Sequence, residues 1–151
     1  MNEEMKKKYD ELKKKNRIYA IQKSWENNVL LQECIEATGG RTLNYNDGNK
    51  VMDEIQKKIP FRLGRVDFSK FKFKTNINTI DSISKLIKNS TEIYVMWDNA
   101  NLPCLKSELK DIIKFIDDVT AVSFDTWIVS TDYNTIIEFY HEGEVTLGIL
   151  S

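Results

Sequence analysis

The sequence predicts a single α+β domain spanning 1–151, with N-terminal helices packed on a mainly antiparallel C-terminal β-sheet. Three observations lead there. Residues 1–90 hold several segments with apolar residues at helical spacing. Residues 119–150 alternate apolar and polar side chains in short runs separated by tight turns. Between them Ile93, Tyr94, Val95, Met96 and Trp97 form a short apolar run that suits a strand covered on both faces. A chain of 151 residues is the size of one domain and can bury a sizeable core.

Taken in order, residues 2–15 form a helix with a thin stripe of Met5, Tyr9 and Leu12 among lysines and glutamates, suited to a domain surface or a partner. Ile18, Ile21 and Trp25 favour helix over 17–25, although Tyr19, Ile21, Lys23 and Trp25 also alternate as a strand would. Asn28 caps a helix over 29–38 that Gly39 and Gly40 stop. Residues 42–49 read as a polar loop with a turn at Asp47-Gly48, and Val51, Met52, Ile55 and Ile59 as a short helix ended by Pro60. Residues 65–74 alternate as a lysine-lined edge strand, with Lys70, Lys72 and Lys74 opposite Phe71 and Phe73. Asn78 or Thr79 caps a third helix carrying Ile80, Ile83 and Ile87.

The second half, 91–150, reads as a β-α-β-β-β unit. After the 93–97 strand, Asp98, Asn99 and Asn101 favour an Asx turn. Pro103 suits a first helical turn, and Leu102, Leu105, Leu109, Ile112, Ile113 and Ile116 then recur at helical spacing. Residues 119–129 return to strand composition, 130–134 turn, 135–140 form a strand, Glu142-Gly143 turn again, and Val145, Leu147 and Ile149 alternate to the end.

Charge is unevenly spread. Residues 1–74 carry 17 Lys+Arg against 11 Asp+Glu, residues 75–151 carry 5 against 12, and no lysine or arginine follows Lys114. Such an acidic end steers basic partners and repels phosphates. No apolar run reaches the length of a membrane span, and the N-terminal lysines lack the apolar stretch of a secretory signal, so a cytoplasmic location is expected. Two cysteines do not make a disulfide framework.

The search for chemistry finds little. His141 is the single histidine, and Cys34 and Cys104 lack zinc-ligand spacing, so no metal or cofactor is expected. No phosphate-binding glycine loop or nucleophile elbow occurs. Cys104, if in the first turn of a helix with His141 as base, gives the one enzymatic alternative. A nucleic-acid-binding module using Lys70, Lys72, Lys74 and the N-terminal lysines gives another. The favoured reading is neither: the chain is expected not to be an enzyme.

YVMWDNANLPCLKSELKDIIKFIDDVTAVSFDTWIVS followed by IIEFYHEGEVTLGIL, within 92–150, resembles the small immunity proteins (CdiI-like) of bacterial contact-dependent growth inhibition and related polymorphic-toxin systems. The WDNANLP turn, the DDVTAVSFDTW segment and the EFYHEGE turn carry the likeness. The resemblance implies a cytoplasmic protein without cofactor that binds one cognate toxin domain, usually a nuclease, and covers its active site or an adjacent surface. It transfers no contact residues.

Those come from the residue pattern instead. A two-residue period puts Asp125 with Trp127 and Glu138 with Tyr140. If the 130–134 turn aligns these faces, an acidic surface with aromatic anchors results, reinforced by Glu142 and by Trp97 and Asp98. A basic nuclease domain is the expected partner for such a surface, with no nucleic acid or membrane bound directly.

Overall fold

A long antiparallel sheet with helices on both faces forms the body of the protein. The computed structural model describes residues 2–151. The elements run α1 (Glu3–Glu26), α2 (Val29–Thr38), β1 (Arg41–Thr42), α3 (Tyr45–Lys58), β2 (Phe61–Arg62), β3 (Arg65–Val66), β4 (Phe73–Asn76), β5 (Glu92–Trp97), β6 (Leu105–Glu108), α4 (Leu109–Lys114), α5 (Ile116–Thr120), β7 (Thr126–Ser130), β8 (Thr135–Phe139) and β9 (Val145–Ile149). Seven strands lie in the order β1-β6-β5-β7-β8-β9-β4, every pair antiparallel, while β2 and β3 make a separate hairpin.

Strand alternation splits the core in two. Ile93, Val95, Trp97, Ile128, Ile137 and Leu147 face Trp25, Leu31, Cys34, Ile83, Leu109, Ile112 and Val119, from α1, α2, α4, α5 and the 3-10 turn Ile80–Lys85. Met96, Trp127, Val129 and Ile136 face Ile55, Ile59 and Val66, so α3 and the hairpin close the second face. The sheet is therefore buried on both sides, which is why β5 and β7 read as nearly continuous apolar runs.

The α+β architecture, the β5 strand and the C-terminal meander follow the sequence pattern. Asn28 caps α2 through its Oδ1, which accepts the Leu31 N–H at 3.0 Å, and Gly39 ends it at φ 66°. Residues 17–25 are helical and continuous with the first helix, giving one 24-residue rod. As expected, β4 is an edge strand, but 65–74 divides into β3, the 3-10 turn Phe68–Lys70 and β4.

Four expectations are corrected. Residues 42–49 are not a loop: Asn44 Oδ1 accepts the Asp47 N–H at 2.8 Å and caps α3, so Asp47 and Gly48 lie in its first turns. Gly48 faces Cys104 in those turns, where a Cβ would stand in ordinary contact, 3.6 Å from that of Cys104. The helix expected from Pro103 to Ile116 begins only at Leu109, because 105–108 form β6, with Leu105 paired to Val95 and Ser107 to Ile93. The open edge of β5 demands a hydrogen-bonding partner, and that demand overrides the helical spacing. The strand expected over 119–129 begins at Thr126, since Val119 lies in α5 and packs under the sheet from there. The third helix is the 3-10 turn Ile80–Lys85, and Thr79 makes no side-chain cap.

Gly148 records how closely the second face is packed. A Cβ at this position of β9 would lie 2.7 Å from Phe71 Cδ2 and 2.8 Å from the Phe68 ring. Gly148→Ala is expected to destabilise the fold by about 1–3 kcal/mol through overpacking, read as a lower urea midpoint with little change in slope.

Candidate functional site

Among the seven residues expected to bind a partner, the structure separates two groups. Trp97, Trp127 and Glu138 are buried, at 5, 6 and 1% exposure. Asp98 and Glu142 are exposed, and Asp125 and Tyr140 are partly so.

The register explains the first group. Trp127 lies directly opposite Glu138, so the two do share a face, as the two-residue period requires. That face is roofed by the β2–β3 hairpin rather than open to solvent. Glu138 Oε2 accepts the Trp127 indole N–H at 3.0 Å and the Val66 backbone N–H at 2.8 Å. Its Oε1 accepts Arg65 Nε at 3.1 Å and Nη2 at 2.9 Å. Phe61 meets Trp127 edge-to-face at 5.8 Å. Trp97 is spent inside the other core, its indole N–H donated to the Val119 carbonyl at 3.0 Å. These three residues hold the fold together and do not offer a contact surface.

The second group converges at one end of the sheet. Asp98 follows β5, and its Oδ1 accepts the Ser123 hydroxyl at 2.6 Å and the Asp125 N–H at 3.1 Å. Asp125 Oδ1 in turn accepts the His141 backbone N–H at 2.8 Å and lies 3.0 Å from His141 Nδ1. Two carboxylates thus tie three loops, 98–101, 121–125 and 140–144, into one platform. Gly143, at φ 98°, makes the last of these a tight turn, donating its N–H to the Tyr140 carbonyl at 2.9 Å. The Arg65 guanidinium stacks 3.8 Å over the Tyr140 ring centroid, and the His141 ring centroid lies 4.2 Å from it.

On this platform Phe124 stands 78% exposed, edge-on to His141 at 6.2 Å. Sequence reasoning missed it, because Phe124 fell inside the strand expected over 119–129. Residues 121–125 form no strand, so the period does not apply. Arg65 was likewise hidden: its role depends on a hairpin contact with β8, 73 positions away.

The alternative chemistries find no support in this geometry. Cys104 precedes β6 rather than starting a helix, and burial pushes its thiol up to about 12. Cys34 is pushed up to about 11 by burial first and then by the nearby Asp118 charge. Neither thiol supplies a nucleophilic thiolate at neutral pH. His141 is engaged by Asp125 at the surface. The groove beside Lys74 is lined by Arg65 and Glu144 as well, so its charge is mixed rather than a phosphate track. Among the described residues no group of three His, Cys, Asp or Glu side chains is placed to hold a metal ion, and no helix is long and apolar enough to cross a membrane.

A family model described as CdiI immunity protein EcoliA0-like matches residues 28–148. The chain belongs to the CdiI immunity protein family. Its family role is neutralisation of a cognate toxin protein. The match takes in β1 to β8, all of β9 but Ile149, and α2 to α5, a far longer stretch than the 92–150 resemblance, and leaves α1 outside. No curated protein matches the chain. In this CdiI protein the three tied loops are the exposed acidic and aromatic end of the family domain.

The clasp under this end is testable. In Glu138→Gln, either amide orientation points an NH2 group at donors, towards Arg65 or towards Val66 and Trp127. A loss of about 2–4 kcal/mol in unfolding free energy is expected, with Trp127 fluorescence shifting towards that of a hydrated indole.

Proposed function

We propose that this CdiI protein neutralises its toxin by covering it with the 98–101, 121–125 and 140–144 platform, and that the toxin is a basic nuclease domain met in the cytoplasm. The carrying observation is Phe124, a large aromatic side chain 78% exposed on loops held rigid by Asp98 and Asp125. Aromatic side chains, Phe among them, are enriched at protein interfaces, and preorganised backbone lowers the ordering cost of docking. Around it lie Asp98, Glu142 and Glu144, all exposed, with Tyr140 beside them. An acidic rim around an aromatic centre favours a basic partner and accelerates its docking.

On this reading inhibition is steric and electrostatic, with no reaction catalysed by the immunity protein and no nucleic acid bound by it. Of the residues expected from sequence to make contact, Asp98, Asp125, Tyr140 and Glu142 remain in the proposed face. Asp125 contributes mainly by fixing the His141 loop. Trp97, Trp127 and Glu138 act beneath it.

The experiment pairs the protein with the toxin domain encoded by the adjacent reading frame. Phe124→Ala is expected to melt with the parent yet weaken toxin binding by about thirtyfold, the equivalent of a hot-spot anchor of about 2 kcal/mol. Glu142→Lys is expected to slow association and flatten its salt dependence. Unchanged protection of cells by the double variant would move the toxin contact to another face.

A further inference from the structure

The first four turns of α1 are exposed on every side. Every residue from Asn2 to Arg17 is exposed, and the helix joins the body only through its last turns. There Ile21 packs on the core, Gln22 Oε1 accepts the Tyr45 N–H at 3.0 Å, and the buried Trp25 donates its indole N–H to the Asn101 carbonyl at 2.6 Å. The remainder projects by about 24 Å at 1.5 Å per residue. It is nonetheless a well-started helix: Asn2 Oδ1 accepts the Met5 N–H at 2.8 Å, and Glu3 and Glu4 occupy the first turn.

The exposed apolar residues of this rod keep a strict spacing. Met5, Tyr9, Leu12 and Tyr19 are 58, 56, 58 and 66% exposed. With Asn16 between the last two, the steps are four, three, four and three residues, the alternation of a coiled-coil seam. On a helical wheel the set spans about 80°, narrower than the stripe by which a helix lies on a core or a bilayer. A lone Asn within such a seam is a register-setting feature.

Charge decides what fits against it. Lys8 and Lys15 border the seam on one side, Lys6 and Lys13 on the other. Glu3, Glu4, Asp10 and Glu11 lie further round, with Glu4 reaching Lys8 at 3.7 Å. Two copies of α1 paired in either direction would set lysine against lysine at these borders, so the seam disfavours its own copy. A basic toxin domain is disfavoured for the same reason. The family match begins at residue 28 and so leaves the rod outside it.

We propose that α1 is a docking arm for a second protein partner, an amphipathic helix whose apolar seam is bordered by Asp or Glu. The partner's leucine-like side chains interleave with Met5, Tyr9, Leu12 and Tyr19, a polar residue meets Asn16, and its carboxylates face the four lysines. The arm acts apart from toxin neutralisation.

The test uses the full chain and two designed helical peptides that share one leucine seam with a single Asn. One carries Glu and the other Lys at the bordering positions. Calorimetry is expected to detect the Glu peptide alone, with affinity falling about tenfold between about 0.05 M and about 0.5 M salt. Leu12→Asp, and separately the Lys6, Lys8, Lys13 and Lys15→Glu variant, should each weaken it by at least about tenfold. Both variants change only exposed residues and should still neutralise the toxin, which keeps this result separate from the proposed toxin face. In cells, a photo-crosslinker at position 12 should label a helix with acid-bordered seam residues, and labelling should vanish with the charge reversal. Several outcomes would overturn the proposal: no binding of the Glu peptide at low salt, equal binding of the Lys peptide, crosslinks to a second copy or to the toxin, or partition onto phosphatidylglycerol vesicles in place of peptide binding.

Discussion

Four donors converge on one carboxylate, and much of the molecule depends on that convergence. Glu138 is 1% exposed, and its oxygens accept from the Arg65 guanidinium, the Val66 backbone and the Trp127 indole. A carboxylate this deep is tolerable only when its lone pairs are met by hydrogen bonds and its charge by a cation. The partners come from β3 and β7 and the carboxylate from β8, so satisfying the charge fixes the hairpin on the sheet. The hairpin has two residues per strand and no means of stability on its own. Without the clasp, the second face of the sheet would expose Trp127 and its neighbours to water.

From that clasp the order reaches the acidic end. Arg65 bridges from Glu138 to Glu144 at 3.4 Å and lies against Tyr140, so the buried network anchors the 140–144 turn. Asp125 then ties that turn to 121–125, and Asp98 ties 121–125 to the end of β5. The acidic residues of the C-terminal half therefore do two kinds of work. Glu138, Asp98 and Asp125 point at backbone or side-chain donors and build the platform, while Glu142 and Phe124 face outward from it. Counting charges along the chain blurs this distinction, because the same residue types serve both ends.

The legible parts of the fold were those whose local pattern agreed with their tertiary role. β5 is covered on both faces and reads as unbroken apolar residues. The meander has tight turns and a clean two-residue period, and α2 has its cap and its glycine stop. The misread parts are those where a distant partner decides. Leu105 and Leu109 suit a helix by spacing, but β5 lacks a neighbour on that side unless 105–108 pairs with it. Asp47-Gly48 looks like a turn until Asn44 caps α3 by accepting the Asp47 N–H. Alternation correctly put Trp127 and Glu138 on one face. It carried no information about the hairpin that covers that face, since β2 and β3 lie more than 60 positions upstream. The family likeness was visible only in the second half, where short turn motifs are distinctive, although the family match begins at residue 28.

The central claim is that a rigid, loop-built end of the sheet meets the toxin. Hydrogen–deuterium exchange of the full chain with and without its cognate toxin domain tests this most directly. The account predicts new protection confined to 98–101, 121–125 and 140–144, with residues 2–17 of α1 and the β4 edge unchanged. Protection centred on β4 or on the α1 rod, with the three loops exchanging as in the unbound protein, would contradict it.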